Sequence, residues 1–276
     1  MLIKVLLVVI FFGLMLAIGL YCRKHSTDVN GFVLGGRSVG PWLTAFAYGT
    51  SYFSAVVFVG YAGQFGWRYG IAATWAGLGN AFIGSLMAWA VLGRRTRIMS
   101  QYLSSATMPD FFGKRFKSNA LKIAASIICF VFLIPYTASL YNGLSRLFGM
   151  AFSVDYSVCV IFMAVLTGIY VVAGGYMATA INDFIQGIIM LFGISAVIAA
   201  VISSQGGLLN ALAGLAEISD PHASNALAKS PGIFASFFGP DPMNLMFVVI
   251  LTSLGTWGLP QMVQKFYAIK NESDIT

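Results

Sequence analysis

Residues 178–203 read ATAINDFIQGIIMLFGISAVIAAVIS, and this stretch decides the fold class. It is long enough to cross a bilayer, whose hydrocarbon core needs roughly 20 consecutive apolar residues per helix. Its one charge is Asp183, toward the inner end. A charge at a helix centre costs roughly 2.5–3.5 kcal/mol on insertion scales and less near an interface. A residue kept at that cost is a candidate for cation or proton handling. The plainer alternative is an acid that caps or snorkels at the cytoplasmic end. Asn182 beside it and Gln186 three positions on give it polar neighbours.

Working outward, the same character recurs in seven blocks, about 2–22, 42–66, 71–93, 120–147, 156–173, 178–203 and 243–264. Of the 276 residues, 58% are apolar and only 9% charged, where a soluble domain carries about 25% charged residues. Strands are excluded as spanning elements, because no ten-residue alternation is sustained. The prediction is an all-α integral membrane protein, one membrane domain over 1–276 with about seven transmembrane helices. The first block follows Lys4, but it is too long for a signal-peptide core and no small-residue cleavage site follows it. Tyr21 before Cys22 is too large for lipoprotein processing, so 1–22 reads as an uncleaved first helix.

The net charge of +7 is a topology signal rather than a nucleic-acid one. With the N-terminus outside and one crossing per block, Lys4, Arg68, Arg146 and Lys229 fall outside, and the other basic residues fall inside. The positive-inside rule then favours N-out and C-in across the plasma membrane. Cys22, Cys129 and Cys159 offer no disulfide framework and no CxxC spacing, and read as small buried residues. In the basic connector 94–119, Met108-Pro109-Asp110 predicts a short interfacial helix, since proline suits a first turn and an acid suits the dipole there. In the long outside loop 204–242, Leu208–Ile218 could form a surface helix.

Two blocks look broken. The second contains Ala47-Tyr48-Gly49-Thr50-Ser51-Tyr52-Phe53-Ser54, and the seventh Thr252-Ser253-Leu254-Gly255-Thr256-Trp257-Gly258-Leu259-Pro260. Unwound backbone at membrane depth is tolerated only where protein or a water-filled cavity covers it. There its carbonyls can bind cations and half-helix N-termini can face anions. Plain small-residue packing is the competing reading. The breaks lie five helices apart in helices of opposite direction, as an inverted repeat requires. Residues 42–203 would be the first five-helix repeat and 243–276 the start of a second. The breaks and helix four supply the solute candidates: Tyr52, Ser54, Tyr136, Asn142, Thr252 and Trp257. Catalysis finds little footing, because His25 and His222 lie in loops and no intramembrane Ser–His or Asp–Asp set is present.

The residues also resemble a family. Leu34-Gly35-Gly36-Arg37-Ser38-Val39-Gly40-Pro41 ahead of the first broken helix is similar to the sodium:solute symporter family, which includes proline, pantothenate and sugar symporters. So are Thr107-Met108-Pro109-Asp110-Phe111-Phe112, Ala173-Gly174-Gly175-Tyr176, Asn182-Asp183-Phe184-Ile185-Gln186 and Gly258-Leu259-Pro260-Gln261 with Lys265-Phe266. The matches run in order over nearly the whole chain. The resemblance implies the N-terminal part of a LeuT-type inverted-repeat transporter, with 1–22 as an extra helix. It implies symport of a small organic solute, driven by sodium through alternating access, with Na+ as coupling ion and no other cofactor. Thr50 and Phe53 match positions whose main-chain carbonyls bind sodium, Asp183 matches an acid implicated in sodium handling, and Tyr136 matches a substrate-site aromatic of proline-type members.

Departures from the family shape the substrate expectation. Proline-type members carry an acid where this chain has Tyr52, which points away from proline itself. Val57 and Gly77 replace side chains of the sugar-type members. Pantothenate-like members resemble Thr50–Phe58 and Asn182–Gln186 better, and a small carboxylate or amino acid is expected. The family's second sodium half-site lies on a later helix, so 1–276 is expected to be partial and not to transport alone. The rival readings are a channel or sensor on the same fold and, less favoured, a membrane enzyme.

Overall fold

A computed structural model describes residues 2–25, 27–53, 61–219 and 229–275. Every regular element among them is helical, and the one β contact between these segments is an isolated parallel bridge from Val39 to Ile269. The helices are α1 (Leu2–Cys22), α2 (Val29–Leu34), α3 (Pro41–Tyr52), α4 (Gly63–Tyr69), α5 (Thr74–Gly79), α6 (Arg94–Tyr102), α7 (Met108–Arg115), α8 (Asn119–Phe152), α9 (Tyr156–Ser204), α10 (Leu208–Glu217), α11 (Pro242–Leu254) and α12 (Pro260–Ala268). Among the described residues four helical stretches are long and apolar enough to cross a membrane: Leu2–Cys22, Gly63–Tyr102, Asn119–Phe152 and Tyr156–Ser204. The pair Pro242–Gly258 and Pro260–Ala268, bent by 53°, is a fifth when taken as one span. Their large apolar side chains point outward, with Phe130 70% and Phe192 73% exposed. That is what lipid-facing helices require and what soluble proteins avoid.

Helix α9 is broken at Gly175, whose φ of 57° and ψ of −151° are not helical. An L side chain is disfavoured at that φ, and a Cβ there would also lie 2.8 Å from the Phe32 carbonyl oxygen. Only glycine lets α2 pass this close. The blocks read from sequence as 156–173 and 178–203 lie on either side of the break.

The first predicted helix break lies partly outside the described residues. α3 stops at Tyr52, and Phe53 caps it at φ −86° and ψ 59°, its N–H donating to the Gly49 carbonyl. Ser54 and the five residues after it up to Val59, together with Gly60, are not among those described. The second break is complete: α11 runs into a 3-10 turn at Gly255–Gly258, Leu259 is extended, and Pro260 starts α12 in its first turn. Proline fits there because the first N–H groups of a helix have no intrahelical partner.

The third block runs on as a 3-10 turn at Gly70–Ala73, α5, two π-helical stretches at Asn80–Met87 and Trp89–Gly93, and α6. The helix therefore continues to Tyr102, beyond the boundary at 93 expected from sequence. Hydropathy falls at Arg94, but arginine is a good helix former, so the apolar block ends before the helix does. The short helix expected at Met108 is α7, with the Thr107 hydroxyl accepting from the Asp110 N–H at 3.3 Å. The surface helix expected from Leu208 is α10.

The chain forms two compact units. One comprises Met1–Val56, Trp89–Gly187 and Gly258–Thr276. Its core includes Leu34, Val39, Ala47, Tyr176 and Tyr267. The other comprises Val57–Ala88 and Ile188–Trp257. In it α5 and α11 approach so closely that a Cβ at Gly79 would overlap Val249 Cγ1.

Candidate cation and solute site

In the first unit, the C-terminal turn of α3, the second arm of α9 and α12 come together around Asp183. α3 docks on α9 at Gly187, where a Cβ would lie 2.6 Å from Phe46 Cδ1 and 3.0 Å from Thr50 Cγ2. The rings of Phe46 and Phe184 pack edge to face with centroids 4.8 Å apart. Asp183 is one turn before Gly187, so both occupy the same face of α9. The small residue at 187 thus brings the end of α3 within a turn of the carboxylate.

Thr50 and Phe53 stand at that helix end. The Thr50 hydroxyl donates to the Phe46 carbonyl at 2.8 Å, which spends it on its own helix. The resemblance to the family assigns main-chain carbonyls, not side chains, to Thr50 and Phe53: oxygen ligands without charge, suited to a hard monovalent cation.

Asp183 faces a cation of the protein's own. The Lys265 ammonium lies 3.4 Å from Asp183 Oδ2, with the lysine side chain 7% and the aspartate side chain 23% exposed. Lys265 Nζ also sits 5.0 Å from the centroid of the Tyr176 ring. Two amides belong to the same stretches, Asn182 beside Asp183 and Gln261 one turn before Lys265. The polar atoms of both side chains are buried without a hydrogen-bond partner, as is the Tyr176 hydroxyl. Gln186 donates to the Met15 sulfur at 3.2 Å. Buried polar groups are normally satisfied, so these atoms depart from the usual pattern among the described residues.

The solute candidates are dispersed over the chain. Tyr52 is buried in the first unit, its ring 6.2 Å from Tyr48 and 5.5 Å from Phe53. Ser54 lies outside the described residues. Tyr136 and Asn142 are on α8, which continues through Pro135. Asn142 is exposed, and its Oδ1 accepts from Arg146 Nε at 2.9 Å. Thr252 and Trp257 belong to the second unit. Thr252 Oγ1 donates to the Val248 carbonyl at 2.9 Å, and the Trp257 indole donates to the Ile83 carbonyl at 3.0 Å within the π-helical stretch. Asn80, which sequence reading passed over, is buried there and its Oδ1 accepts from the Ser253 hydroxyl at 3.2 Å. A search among intramembrane amides as well as acids would have found it.

A second arginine-based feature sits where α12 ends. Arg37 reaches three segments, donating to the Ser100 hydroxyl (3.0 Å) and carbonyl (3.2 Å), the Ser105 carbonyl (2.7 Å) and the Tyr267 carbonyl (3.1 Å). Arg97 donates to the carbonyls of Ile269 (2.7 Å) and Lys270 (3.1 Å) and to Gln101 Oε1 (2.6 Å). Burial, and then the positive charge of Arg97, pull the Arg37 pKa below its ordinary value.

The sequence matches the sodium:solute symporter family over residues 32–276. The chain belongs to that family. Among curated proteins it is 31% identical over 269 residues to the osmoregulated proline transporter OpuE of Bacillus subtilis, an alignment covering 96% of this chain and 52% of that protein. It is 33% identical over 275 residues to a sodium/proline symporter of Staphylococcus aureus, covering 96% of this chain and 50% of that protein. The chain thus spans about half the length of the curated relatives it matches. As a member of the sodium:solute symporter family it groups with transporters rather than enzymes, and several of its helices are fit to cross a membrane. Both of these relatives are proline transporters, whereas Tyr52 pointed the substrate expectation away from proline.

Proposed function

We propose that this chain forms part of a sodium-coupled symporter for a small organic solute, an amino acid or carboxylate, with a proline-like solute favoured by its proline-transporting relatives. The observation that carries the proposal is Asp183. It is an acid in an apolar helix, one turn before the Gly187 against which α3 packs through Phe46 and Thr50, in a chain of this family. Na+ is the coupling ion, with Thr50, Phe53 and Asp183 as its contacts. Tyr52, Ser54, Tyr136, Asn142, Thr252 and Trp257 are offered as solute contacts.

The architecture we infer has seven spans, N-terminus outside, with 42–203 as one inverted repeat and 243–276 opening the next in a LeuT-type arrangement. The break at Gly175 and the 53° bend before Pro260 support this division. Sodium binding from outside would stabilise the outward-open state and raise solute affinity by linkage. The membrane potential contributes about 2.3 kcal/mol per charge per 100 mV to its entry. The test is uptake by the intact transporter carrying this chain, reconstituted in liposomes, with a sodium gradient imposed and proline, other amino acids and small carboxylates supplied in turn. Concentrative uptake of one of them only with sodium outside is the expected result. Solute flux that never exceeds equilibration, whatever the gradient, would sink the proposal.

A further inference from the structure

Lys265 is the chain's least expected charge. Only 5% of it is exposed, in α12 immediately after the broken helix. A buried ammonium needs a partner, and the one ion pair it makes among the described residues is with Asp183. Several features show that this pair is not a tight structural bridge. The separation of 3.4 Å is long for a charge-assisted hydrogen bond. The ammonium also leans toward the face of the Tyr176 ring, 5.0 Å from its centroid, so a second attraction holds it when the carboxylate is otherwise engaged. Asp183 keeps 23% of its side chain exposed, more than the 7% of its lysine partner. The unpaired amides of Asn182 and Gln261 add buried polar atoms on the elements that carry the two charges.

We propose that Lys265 is a built-in competitor for the coupling cation: its ammonium neutralises Asp183 until sodium arrives, then gives up the carboxylate and rests on Tyr176. This rests on the symporter reading above. Both cations are monovalent, so the exchange leaves the net charge beside the carboxylate unchanged while one is bound. The lysine keeps Asp183 from standing as a lone buried charge, and it lowers sodium affinity by the free energy of the pair. Such weakening serves release, because a site that bound sodium against no competitor would let go slowly on the low-sodium side. Lys265 is a positioning residue in this scheme, acting on sodium through Asp183.

The test measures sodium itself rather than transport. The intact transporter carrying this chain is purified, and its melting temperature is followed as NaCl replaces choline chloride at constant ionic strength. Lys265→Met leaves the carboxylate without its counter-ion. The variant should be less stable than the parent in choline, be raised by sodium by several degrees more than the parent, and show a several-fold lower half-saturating sodium concentration. Lys265→Arg, which restores the charge, should bring the half-saturation back toward the parent. If the methionine variant fails to accumulate, Lys265→Gln removes the charge while its amide still donates to Asp183, and the same shift is expected. A Lys265→Met or Lys265→Gln protein whose half-saturating sodium equals the parent's overturns the proposal. Uptake assays on the parent separate the two claims. Sodium-driven uptake with unshifted sodium affinity in the variants removes the Lys265 role alone, whereas absence of sodium-driven uptake in the parent removes the symporter reading and the exchange role with it.

Discussion

Asp183 and Gly187 are one turn apart and do complementary work, one supplying charge and the other the room for α3 to approach it. Asp183→Asn keeps the shape and removes the charge. The half-saturating sodium concentration for uptake should rise by about tenfold or more, the equivalent of ~1.4 kcal/mol. An unchanged value would take Asp183 out of the sodium site. Gly187→Ala probes the approach itself, since the new methyl would sit 2.6 Å from Phe46 and 3.0 Å from Thr50. Overpacking of this kind costs ~1–3 kcal/mol, and here it pushes the end of α3 off α9. The expected outcome is a lowered melting temperature together with a weaker sodium response. A loss of stability with sodium affinity intact would mean that the α3–α9 distance does not matter to the cation. Asp183 was legible in the sequence because it is an isolated charge in an apolar block. Lys265 was legible as a residue near a block's end and as part of a family-like motif; its burial and its pairing with a residue 82 positions away are tertiary facts.

At the level of elements, the sequence shows breaks better than ends. Glycine and proline mark the break at 255–260 and the turn at Gly175 because only particular backbone geometries are open to them. The extension of the third helix to Tyr102 and the π-helical stretches at Asn80–Met87 and Trp89–Gly93 leave no such mark, since they depend on what packs alongside. The hold on the end of α12 was equally hidden: Arg37 and Arg97 pair with carbonyls, which carry no sequence signature. Arg37→Ala would strip donors from four acceptors in three segments; the Ser100 carbonyl keeps the Ser105 N–H, and each acceptor left unsatisfied costs ~1–3 kcal/mol. A loss of about 3 kcal/mol or more is expected, read as a drop in melting temperature. Arg37→Lys should recover only part of it, because an ammonium lacks the fork that reaches several acceptors at once. Full recovery by lysine would show that charge, rather than the spread of donors, is what matters.

The α7–α8 connection makes a pH-dependent prediction. Asp110 is bonded to Lys114 at 2.8 Å and to Lys122 at 2.7 Å. Partial burial pushes its carboxyl pKa up, but the hydrogen bonds and charges of the two lysines outweigh that and hold it below the ordinary value. A carboxyl with a depressed folded-state pKa stabilises above its unfolded value, and the contribution fades as pH falls through the folded one. The connection should therefore be insensitive to pH from neutrality down to the ordinary carboxylate range and loosen only below it. Both lysines are about half exposed, so Asp110→Asn should cost no more than ~1 kcal/mol. Amide exchange of α7 across that pH range reads the effect. Protection lost already near neutral pH would contradict it.

For the whole molecule, composition decided the class while charge distribution supplied the orientation, and the two have different physical standing. A bilayer accepts long apolar helices because their backbone is satisfied internally, and the outward-facing side chains at Phe130 and Phe192 agree. Which end faces the cytoplasm is not written in any helix. It follows from where Lys and Arg fall between them, and that inference stands only if every span is counted correctly. The structure among described residues gives four spans, or five with the bent pair; five or seven alternating spans from an outside N-terminus both put Lys229 outside and Lys270 inside, whereas four leave both on one side. Impermeant maleimide labelling decides whether the bent pair is a span. In a background with Cys22, Cys129 and Cys159 replaced by serine or alanine, Lys229→Cys should label on intact cells and Lys270→Cys only after permeabilisation. The two positions flank the broken helix α11–α12, so opposite labelling means that this bent pair crosses the membrane once. Labelling of both from the same side would make it a re-entrant loop. Residues 42–203 and the segment from 243 would then no longer be related as inverted units, and the inverted-repeat reading of the two helix breaks would go with them.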